Sequence, residues 1–536
     1  MNTLWYGDNL TIMQEKMGLG GVDLIYLDPP FNSKQNYNLL YKTLTGKPVP
    51  EQVEAFCDTW EMDPQKEAIA RSMPVLMREH GVDDYYVDFW RLWMQALRKS
   101  QPHLLAYLIF MVQRLLYMKS VLKPTGSIYL HCDSTASHYI KVMMDGIFGH
   151  QNYRNEIVWK RASTVKGNVG QGARHFGRNT DTILFYTASD IYTFNQPYAE
   201  YDPAYLESMY RYTEPDGRRY RLISMIGPGG AAKGNPFYEV MGVSRHWRYS
   251  RKKMQELIQT GMVVQTKPGT VPQRKQYLDQ GKGVPVQSLW DDISGLHAGS
   301  KERLGYPTQK PIDLVKRIIE TSSNPGDTVF DPFCGCGTSI YAAHETGRNW
   351  IGCDIAILSI KLVREILASK YRLVEGHDFS VAGIPVSVDG AHEMFNKDPS
   401  TFQKWFVERV GGFPMRRVSA DRGIDGRIYF ETNAGLKEMI IQVKGGRHVR
   451  PTDVRDLRGT MEREPNAELA GFLSLVPPSK AMLQEAAEAG TYEYFGVEYP
   501  RIQFLTAKDV LEDKREFRMP ARVGTRIHTG QHSFAL

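Results

Sequence analysis

The first 190 residues alternate between short apolar runs and longer segments whose apolar positions recur with helical spacing. The runs Val22–Leu27 and 182–186 predict buried strands, because each is short and bounded by polar or turn-forming residues. Helical spacing predicts helices over residues 83–99, 104–122 and 137–148. Repeated alternation of this kind is typical of a doubly wound α/β sheet, which is the fold class that we predict for this part of the chain.

Between residues 190 and 300 the alternation stops, and tyrosine, arginine and glycine become frequent. From 198 to 290 there are 14 Lys and Arg against 8 Asp and Glu, a surplus of 6 that equals the net charge of the whole chain, +6. Basic residues among aromatic rings favour a nucleic-acid partner, because lysine and arginine neutralise phosphates. We predict DNA contacts from Arg245, Trp247, Arg248 and Arg251; a solvated helical face from about Ser250 is the alternative.

Length and composition are those of a soluble globular protein. The chain has 536 residues, 42% hydrophobic and 24% charged, which is enough for about two to four domains. It contains no run of 18 apolar residues and no signal-peptide pattern, so we expect a cytoplasmic protein without membrane contact. Five cysteines are too few for a disulfide framework, and Cys334 and Cys336 lack a second ligand pair at zinc-finger spacing.

An acceptor-rich turn follows the strand Val22–Leu27. Asp28 is succeeded by Pro29, Pro30 and Phe31. The prolines fix φ and remove two backbone N–H donors, so the nearby carbonyls face outward without competing donors, beside a flat ring. Such a corner suits an amino group on a flat heterocycle, although an ordinary strand-to-loop turn is the alternative.

Further along the chain, another strand runs into a glycine loop and a helix. Gly335 and Gly337 allow the backbone to approach a ligand closely, and Thr338 is suited to cap the helix. The next strand ends at Asp354, 23 residues after Asp331, a spacing that places a carboxylate near ribose hydroxyls. Asp331 in the loop would repel pyrophosphate and attract a cation. A nucleoside with a positively charged tail, S-adenosylmethionine, therefore fits best.

Together these motifs resemble the amino-group DNA methyltransferases of the permuted β type, which are related to the modification subunits of type III restriction systems. In that family the catalytic Asp-Pro-Pro-Tyr/Phe motif precedes a target-recognition insert, and the cofactor motifs follow the insert. The resemblance covers about residues 1–370 and implies a Rossmann-like methyltransferase sheet. The segments that carry it are 28–31, 306–311 and 331–338, with flanking agreement at 58–60, 130–133 and 289–293.

The resemblance also implies residue roles. Asp8 would contact the adenine of the cofactor and Asp354 its ribose. The cofactor pocket would be shaped by a further set of residues: Lys310, Asp331, Phe333, Gly335, Gly337 and Thr338. A base flipped out of the duplex would stack on Phe31, while Asp28 and the Pro29 carbonyl accept hydrogen bonds from its amino group. Asp-Pro-Pro-Tyr/Phe usually accompanies adenine N6 methylation, which we therefore expect, with cytosine N4 as the alternative.

After about residue 370 the sequence changes character. A capped helix over 400–410 precedes strands near 427–430 and 439–444. Residues i and i+2 of a strand share a face, so Asp425, Gln442 and Lys444 are expected at one sheet edge. Carboxylate and amide oxygens suit Mg²⁺, and a lysine suits activation of water.

Residues 400–510 resemble the Mrr-like branch of the PD-(D/E)xK nucleases, a restriction-endonuclease-like α/β domain. Many relatives carry Phe-Glu on the first helix, whereas this chain has Phe402 and Gln403, so an acidic metal ligand is missing unless Glu408 replaces it. We favour an active nuclease; a folded, inactive DNA-binding module is the alternative.

The expected organisation follows from these assignments. Double-stranded DNA is the expected partner, and a homodimer is left open. The predicted segments are a catalytic part (1–190), a target-recognition insert (191–300), a cofactor-binding part (301–370), a linker (371–399), a nuclease domain (400–515) and a tail (516–536).

Overall fold

The structure is a computed structural model that describes most of the chain. The described residues are 2–30, 36–39, 53–57, 60–162, 174, 176–297, 299–304, 308–415, 423–433, 435–446, 448–520, 526–529 and 532–535. Phe31, the predicted stacking residue, and residues 306 and 307 of the predicted cofactor motif lie outside them. Residues Gln196–Gln287 form a separate compact unit, here called the insert, which is narrower than the predicted segment 191–300.

Before the insert, strands alternate with helices close to the predicted positions. The strands are β1 (Asn2–Tyr6), β2 (Val22–Leu27), β3 (Asn36–Leu39), β4 (Val53–Cys57), β5 (Leu122–Cys132), β6 (Tyr153–Lys160) and β7 (Thr180–Thr187). The helices are α1 (Asn9–Glu15), α2 (Pro64–Glu79), α3 (Asp84–Ser100), α4 (Pro102–Val121) and α5 (Ser137–Phe148). By length and composition α4 resembles a membrane span, but most of its side chains are buried in the main hydrophobic core, as in the core helix of a soluble protein.

The insert is built from short antiparallel strands and two helices. Its elements are β8 (Tyr198–Ala199), α6 (Pro203–Met209), β9 (Tyr212–Thr213), β10 (Arg219–Ser224), β11 (Phe237–Val240), β12 (Val243–His246), α7 (Arg251–Gln259), β13 (Val263–Val264), β14 (Gln273–Tyr277) and β15 (Val284–Pro285). A four-stranded sheet has the order β13-β14-β10-β9, and the other strands form two pairs, β11-β12 and β15-β8.

The chain then returns to the main sheet. The elements are β16 (Leu289–Trp290), α8 (Ile312–Ser322), β17 (Thr328–Asp331), α9 (Thr338–Glu345), β18 (Asn349–Asp354), α10 (Ile357–Ser369) and β19 (Phe379–Ala382). The prediction of a linker over 371–399 is wrong, because β19 pairs in parallel with β1 at the edge of the main sheet. A helix follows it within the same segment. Residues 2–195 and 288–382 are here called the N-terminal domain.

Residues 388–520, here called the C-terminal domain, contain a second sheet with helices. The helices are α11 (Val388–Lys397), α12 (Pro399–Arg409), α13 (Pro451–Arg463), α14 (Lys480–Ala487) and α15 (Ala507–Leu511). The strands are β20 (Phe413–Pro414), β21 (Gly426–Thr432), β22 (Gly435–Lys444), β23 (Ala467–Ser474), β24 (Thr491–Tyr494), β25 (Val497–Pro500) and β26 (Ile502–Thr506), followed by the separate pair β27 (Arg526–Thr529) and β28 (His532–Ala535).

Both sheets are mixed. The N-terminal domain has the strand order β16-β6-β7-β5-β2-β17-β18-β1-β19, in which β7 is antiparallel to its two neighbours and the strands from β5 to β19 are parallel. The C-terminal domain has the order β20-β21-β22-β23-β26. The predicted α/β class is therefore confirmed.

Strand order in the main sheet positions the site. The strands β2, β17, β18 and β1 are consecutive parallel neighbours, although β1 and β18 are more than 340 residues apart in the chain. Carboxyl ends of parallel strands meet at one edge, where open α/β sheets bind ligands. Asp28 follows β2, Asp331 and Asp354 end β17 and β18, and Asp8 lies just beyond β1. Four predicted site acids therefore meet along one edge.

Candidate active site

These strand ends open on a cavity of about 590 Å³. Most of the residues predicted for the cofactor and the reaction line it: Asp8, Asp28, Pro30, Lys310, Asp331, Phe333, Gly335, Thr338 and Asp354. Pro29 and Gly337 do not line it. Gly337 shapes the loop from behind, because its φ is +87° and an added Cβ would lie 2.8 Å from the Tyr341 hydroxyl. The glycine is therefore required by both backbone conformation and space.

The glycine loop orients Asp331. The Phe333 amide donates to Asp331 Oδ1 at 2.9 Å, and the Ser339 hydroxyl donates to its other oxygen. Burial raises the pKa of Asp331 to about 7 despite these donors. The predicted cap is wrong: Gly337 is the N-cap of α9 and no side chain caps it, because Thr338 is already the first helical residue.

Asp354 is fixed by backbone amides. The Gly335 amide donates to its Oδ2 at 2.9 Å, and the Ala356 amide donates to its Oδ1 at 2.8 Å. Burial nevertheless raises its pKa to about 6. Two acids with raised pKa values therefore face one cavity, where a ligand that is positively charged or donates hydrogen bonds would favour their ionised forms.

Asp28 is paired on one oxygen only. Lys310 Nζ donates to Asp28 Oδ2 at 2.5 Å, and both side chains are largely buried. Asp28 Oδ1 is buried and has no hydrogen-bond partner among the residues that the structure describes. A buried acceptor without a donor is costly, so this oxygen is well suited to accept a hydrogen bond from a ligand.

A buried arginine, Arg114 of α4, lies below Asp8 and belongs to none of the motifs found in the sequence. Arg114 Nη2 donates to both oxygens of Asp8 at 2.8 and 2.9 Å, and its Nε donates to Asn9 Oδ1 at 2.7 Å. Asn9 Nδ2 in turn donates to the Pro332 carbonyl at 2.7 Å. This network joins the end of β1 to the glycine loop. The sequence contains a signal for it, because Arg114 is a charged residue in the middle of the mostly apolar helix α4.

A second group lies beside the end of β2, and of its members only His131 falls in a motif segment of the family resemblance, 130–133. The Tyr26 hydroxyl is 3.3 Å from His131 Nδ1, and His131 Nε2 is 3.2 Å from Asp181 Oδ2. Arg161 Nε lies 3.4 Å from the other oxygen of Asp181. The chain of buried polar groups ties β2, β5 and β7 together next to Asp28, which keeps that strand end rigid.

In the insert, the predicted DNA-binding residues separate into two kinds. Arg245, Arg248 and Arg251 are exposed and are available to phosphates. The prediction for Trp247 is wrong, because its side chain is 0% exposed and its Nε1 donates to the Tyr238 carbonyl at 2.7 Å. Trp247 is the centre of the small core of the insert.

The C-terminal domain brings its predicted residues to one end of β22. The Val443 amide donates to Asp425 Oδ2 at 2.7 Å. Gln442 Oε1 is buried and without a hydrogen-bond partner within the described ranges. Lys444 Nζ lies 3.4 Å from Asp453 Oδ1 on α13. Within the described part of the chain, no three His, Cys, Asp or Glu side chains form a metal-binding group.

Glu408 has partners elsewhere. Burial raises its pKa to about 8, while the positive charges of Lys361 and Lys404 and a hydrogen bond from the Ile357 backbone act in the opposite direction. Ile357 begins α10 in the N-terminal domain. These partners argue against Glu408 as the replacement for the missing acidic metal ligand.

Comparisons with known proteins point to one family. A family model described as DNA methylase matches residues 22–365. The type II methyltransferase M.EcaI of Enterobacter cloacae is 33% identical over 266 residues, 49% of this chain and 58% of that protein. The Mod subunit of the type III restriction-modification enzyme StyLTI of Salmonella typhimurium is 27% identical over 380 residues, 66% of this chain and 52% of the subunit.

A shorter similarity is closer in sequence. The DNA adenine methyltransferase YhdJ of Escherichia coli is 50% identical over 72 residues, 13% of this chain and 24% of that protein. The chain spans little more than half the length of M.EcaI and of the StyLTI Mod subunit. The family match ends before the C-terminal domain begins.

Proposed function

The chain belongs to the DNA methylase family, whose model matches residues 22–365, and on that premise we propose that it transfers a methyl group from S-adenosylmethionine to the exocyclic amino group of a DNA base. The observation that carries the proposal is Asp28 Oδ1, a buried acceptor in the cavity without a hydrogen-bond partner among the described residues. An amino group of a base supplies the missing donor.

The cavity suits the cofactor in charge and in hydrogen bonding. Asp354 would accept from the ribose hydroxyls, and Asp331 would face the positively charged end of the ligand. Asp8, held by Arg114, would accept from the adenine amino group. When bound, the cofactor supplies a methyl group on a positively charged sulfur.

The role of the protein's own residues would be to make the amino nitrogen of the base a better nucleophile. The lone pair of an aromatic amino group is delocalised into the ring, which makes the nitrogen a weak nucleophile. Asp28 Oδ1, which lies in the cavity, would accept one of its two hydrogens. The family resemblance assigns the other hydrogen to the carbonyl of Pro29, a residue that does not itself line the cavity; the two hydrogen bonds together would favour a tetrahedral nitrogen with a lone pair aimed at the methyl group. Lys310 fixes the other oxygen of Asp28, so the acceptor is oriented before the base arrives. Asp28 is also placed to take the proton that the nitrogen loses.

We propose adenine N6 as the target atom. The Asp-Pro-Pro-Phe sequence at 28–31 favours adenine in the family that the chain resembles, and YhdJ is named an adenine methyltransferase. Exposed Arg245, Arg248 and Arg251 in the insert would contact DNA phosphates. Cytosine N4 remains the alternative target.

The test is methyl transfer in the purified full-length protein. Duplex DNA incubated with labelled S-adenosylmethionine should gain N6-methyl-2′-deoxyadenosine, detected by nucleoside mass spectrometry. The variant Asp28→Ala should still bind cofactor and DNA but lose at least about 1000-fold in turnover, because both acceptor and proton carrier are removed. Wild-type turnover in this variant would overturn the mechanism, and N4-methylcytosine as product would overturn the target.

A second candidate function belongs to the C-terminal domain: Mg²⁺-dependent DNA cleavage. The observation that favours it is Gln442 Oε1, buried without a partner in the described ranges and beside the oriented carboxylate of Asp425. These oxygens would hold the ion, which supplies a polarised phosphate and a more acidic water. Lys444 would orient that water.

Cleavage of unmethylated DNA should require Mg²⁺ and be lost in Lys444→Ala. A matched control is Lys437→Ala on the same strand, since Lys437 pairs with Glu468 and not with the predicted site. Equal cleavage by the two variants would overturn the role of Lys444, and no cleavage by the wild type would leave the C-terminal domain as a DNA-binding module.

A further inference from the structure

The cofactor cavity has a second wall that comes from the C-terminal domain. Acids and loop residues of the N-terminal domain line one side, and polar residues on or beside α12 line the other: Asp398, Ser400, Thr401, Gln403, Lys404 and Glu408. These six residues, here called the α12 wall, lie outside the residues that the family model matches. The wall is therefore a property of this chain's two-domain architecture.

Two sets of contacts hold the α12 wall against the N-terminal domain. Lys397, just before α12, donates to Glu15 Oε2 of α1 at 2.8 Å. On the inner side, Glu408 reaches the first turn of α10 and interacts with Ile357, Lys361 and Asp354. The outer ion pair is exposed and weak. The inner carboxyl is buried, and burial raises its pKa to about 8, so this contact alone does not favour tight docking.

The position of Glu408 shows which part of the ligand the wall faces. Asp354 is close enough for its charge to raise the pKa of Glu408, and Ile355 and Ala356 next to it line the same cavity. Under the proposed function this is the adenosine end of the cofactor. Ser400, Thr401 and Gln403 offer hydroxyl and amide groups there, the donors and acceptors that a nucleoside requires.

We propose that the α12 wall completes the S-adenosylmethionine site, so that the cofactor is held between the two domains and its binding strengthens their docking. This inference rests on the proposed function of the N-terminal domain. Because binding couplings are reciprocal, a ligand that stabilises docking must also be bound more tightly by the docked form. Cofactor occupancy would then be transmitted to the C-terminal domain, where Asp425 lines the same cavity.

The test is hydrogen exchange of the full-length protein, measured by mass spectrometry with and without saturating S-adenosylmethionine and in the absence of DNA. Amides of α9, α10 and α12 should exchange at least about threefold more slowly with the cofactor, while those of α14 should not change. Protection of α9 and α10 without α12 would overturn the inference and leave the proposed function intact. Protection of none of them would overturn the cofactor assignment, and the inference with it.

A pair of variants gives an independent measurement. Gln403→Trp narrows the cavity from the α12 wall, and it should raise the cofactor dissociation constant at least about fivefold by calorimetry. Gln484→Trp places the same side chain on the exposed face of α14 and should leave the constant unchanged. Equal constants for the two variants would overturn the inference. If Gln403→Trp does not fold, exchange in the wild-type protein still decides.

Discussion

The two sheets of this protein each present an acid and a lysine at a strand end, but they assemble the pair differently. In the N-terminal domain, Lys310 reaches Asp28 across 282 residues of sequence and bonds to it directly. In the C-terminal domain, Gln442 and Lys444 lie two residues apart on β22, next to Asp425. Lys444 Nζ there lies 3.4 Å from Asp453 Oδ1 on α13.

The two sites differ in how many of their acids are held by hydrogen-bond donors. At the strand ends of the main cavity, Asp28, Asp331 and Asp354 each have a fixed donor for at least one oxygen, and Asp28 Oδ1 is buried without a hydrogen-bond partner among the described residues. At the end of β22 the predicted ligands are one carboxylate, Asp425, and one amide, Gln442, and the described part of the chain has no cluster of three acidic, histidine or cysteine ligands. The acids of the main cavity are therefore oriented before any ligand binds. The predicted ligand pair at β22 contains one carboxylate.

The contrast between the two sites requires that Lys310 is necessary for methyl transfer. Lys310→Met removes the cation that orients Asp28 and balances its charge in a largely buried pair. Methyl transfer should fall about 100-fold in kcat, because the acceptor for the base loses its orientation. Single-turnover transfer from labelled S-adenosylmethionine measures the effect. The control Lys316→Met removes a lysine of α8 that pairs with Glu345 and should keep wild-type turnover; equal losses in the two variants would contradict the role of Lys310.

The raised pKa values in the main cavity predict that ligand affinity depends on pH. Asp331 has a pKa of about 7 in the folded protein against an ordinary value of 3.8, so it is mostly protonated at pH 6 and mostly ionised at pH 8. A cationic ligand requires the ionised form. Through Asp331, affinity for S-adenosylmethionine should therefore rise about tenfold between pH 6 and pH 8, with up to one proton released from this carboxyl on binding.

In the protein without ligand, the stability of the fold changes with pH in the opposite direction to the ligand affinity. Because the folded state holds the proton more tightly than the unfolded state, stability contributed by Asp331 is lost as pH rises through about 7. Calorimetric titration at several pH values checks the affinity, with adenosine as the uncharged control. An equal gain for adenosine, or falling affinity with pH, would show that Asp331 does not face the charged end.

Much of the main site was predictable because its residues follow strand ends. Short apolar runs that end in Asp28, Asp331 and Asp354 indicate where three carboxylates lie before any contact is known. Their partners were not predictable in the same way. Motif order does not show that Lys310 touches Asp28, and the pattern of α4 does not show that Arg114 lies beneath Asp8.

Other failures have similar causes. Trp247 stands between basic residues in the sequence, and only the three-dimensional packing shows that its ring is the core of the insert. The segment 371–399 contains turn-forming residues typical of a linker, yet β19 within it is a short strand that pairs in parallel with β1, far away in the sequence. The α12 wall forms where two domains meet. The periodicity of apolar positions within one segment gives no information on contacts between domains, so the sequence did not predict it.

The smallest effect is expected for a substitution at the end of β22. It tests whether this site differs from the main site because it has one carboxylate too few. Gln442→Glu adds a carboxylate next to Asp425 in a buried position, and Ca²⁺ and Mg²⁺ sites strengthen with the number of charged ligands. The Mg²⁺ concentration for half-maximal cleavage should fall by about three- to tenfold.

Without Mg²⁺ the new buried charge should lower the melting temperature, and Mg²⁺ should restore it, since an ion that binds only the folded state stabilises that state. Gln484→Glu on the exposed face of α14 is the matched control. If both variants keep the Mg²⁺ dependence and melting temperature of the wild type, Gln442 does not face a metal, and the end of β22 is a structural edge.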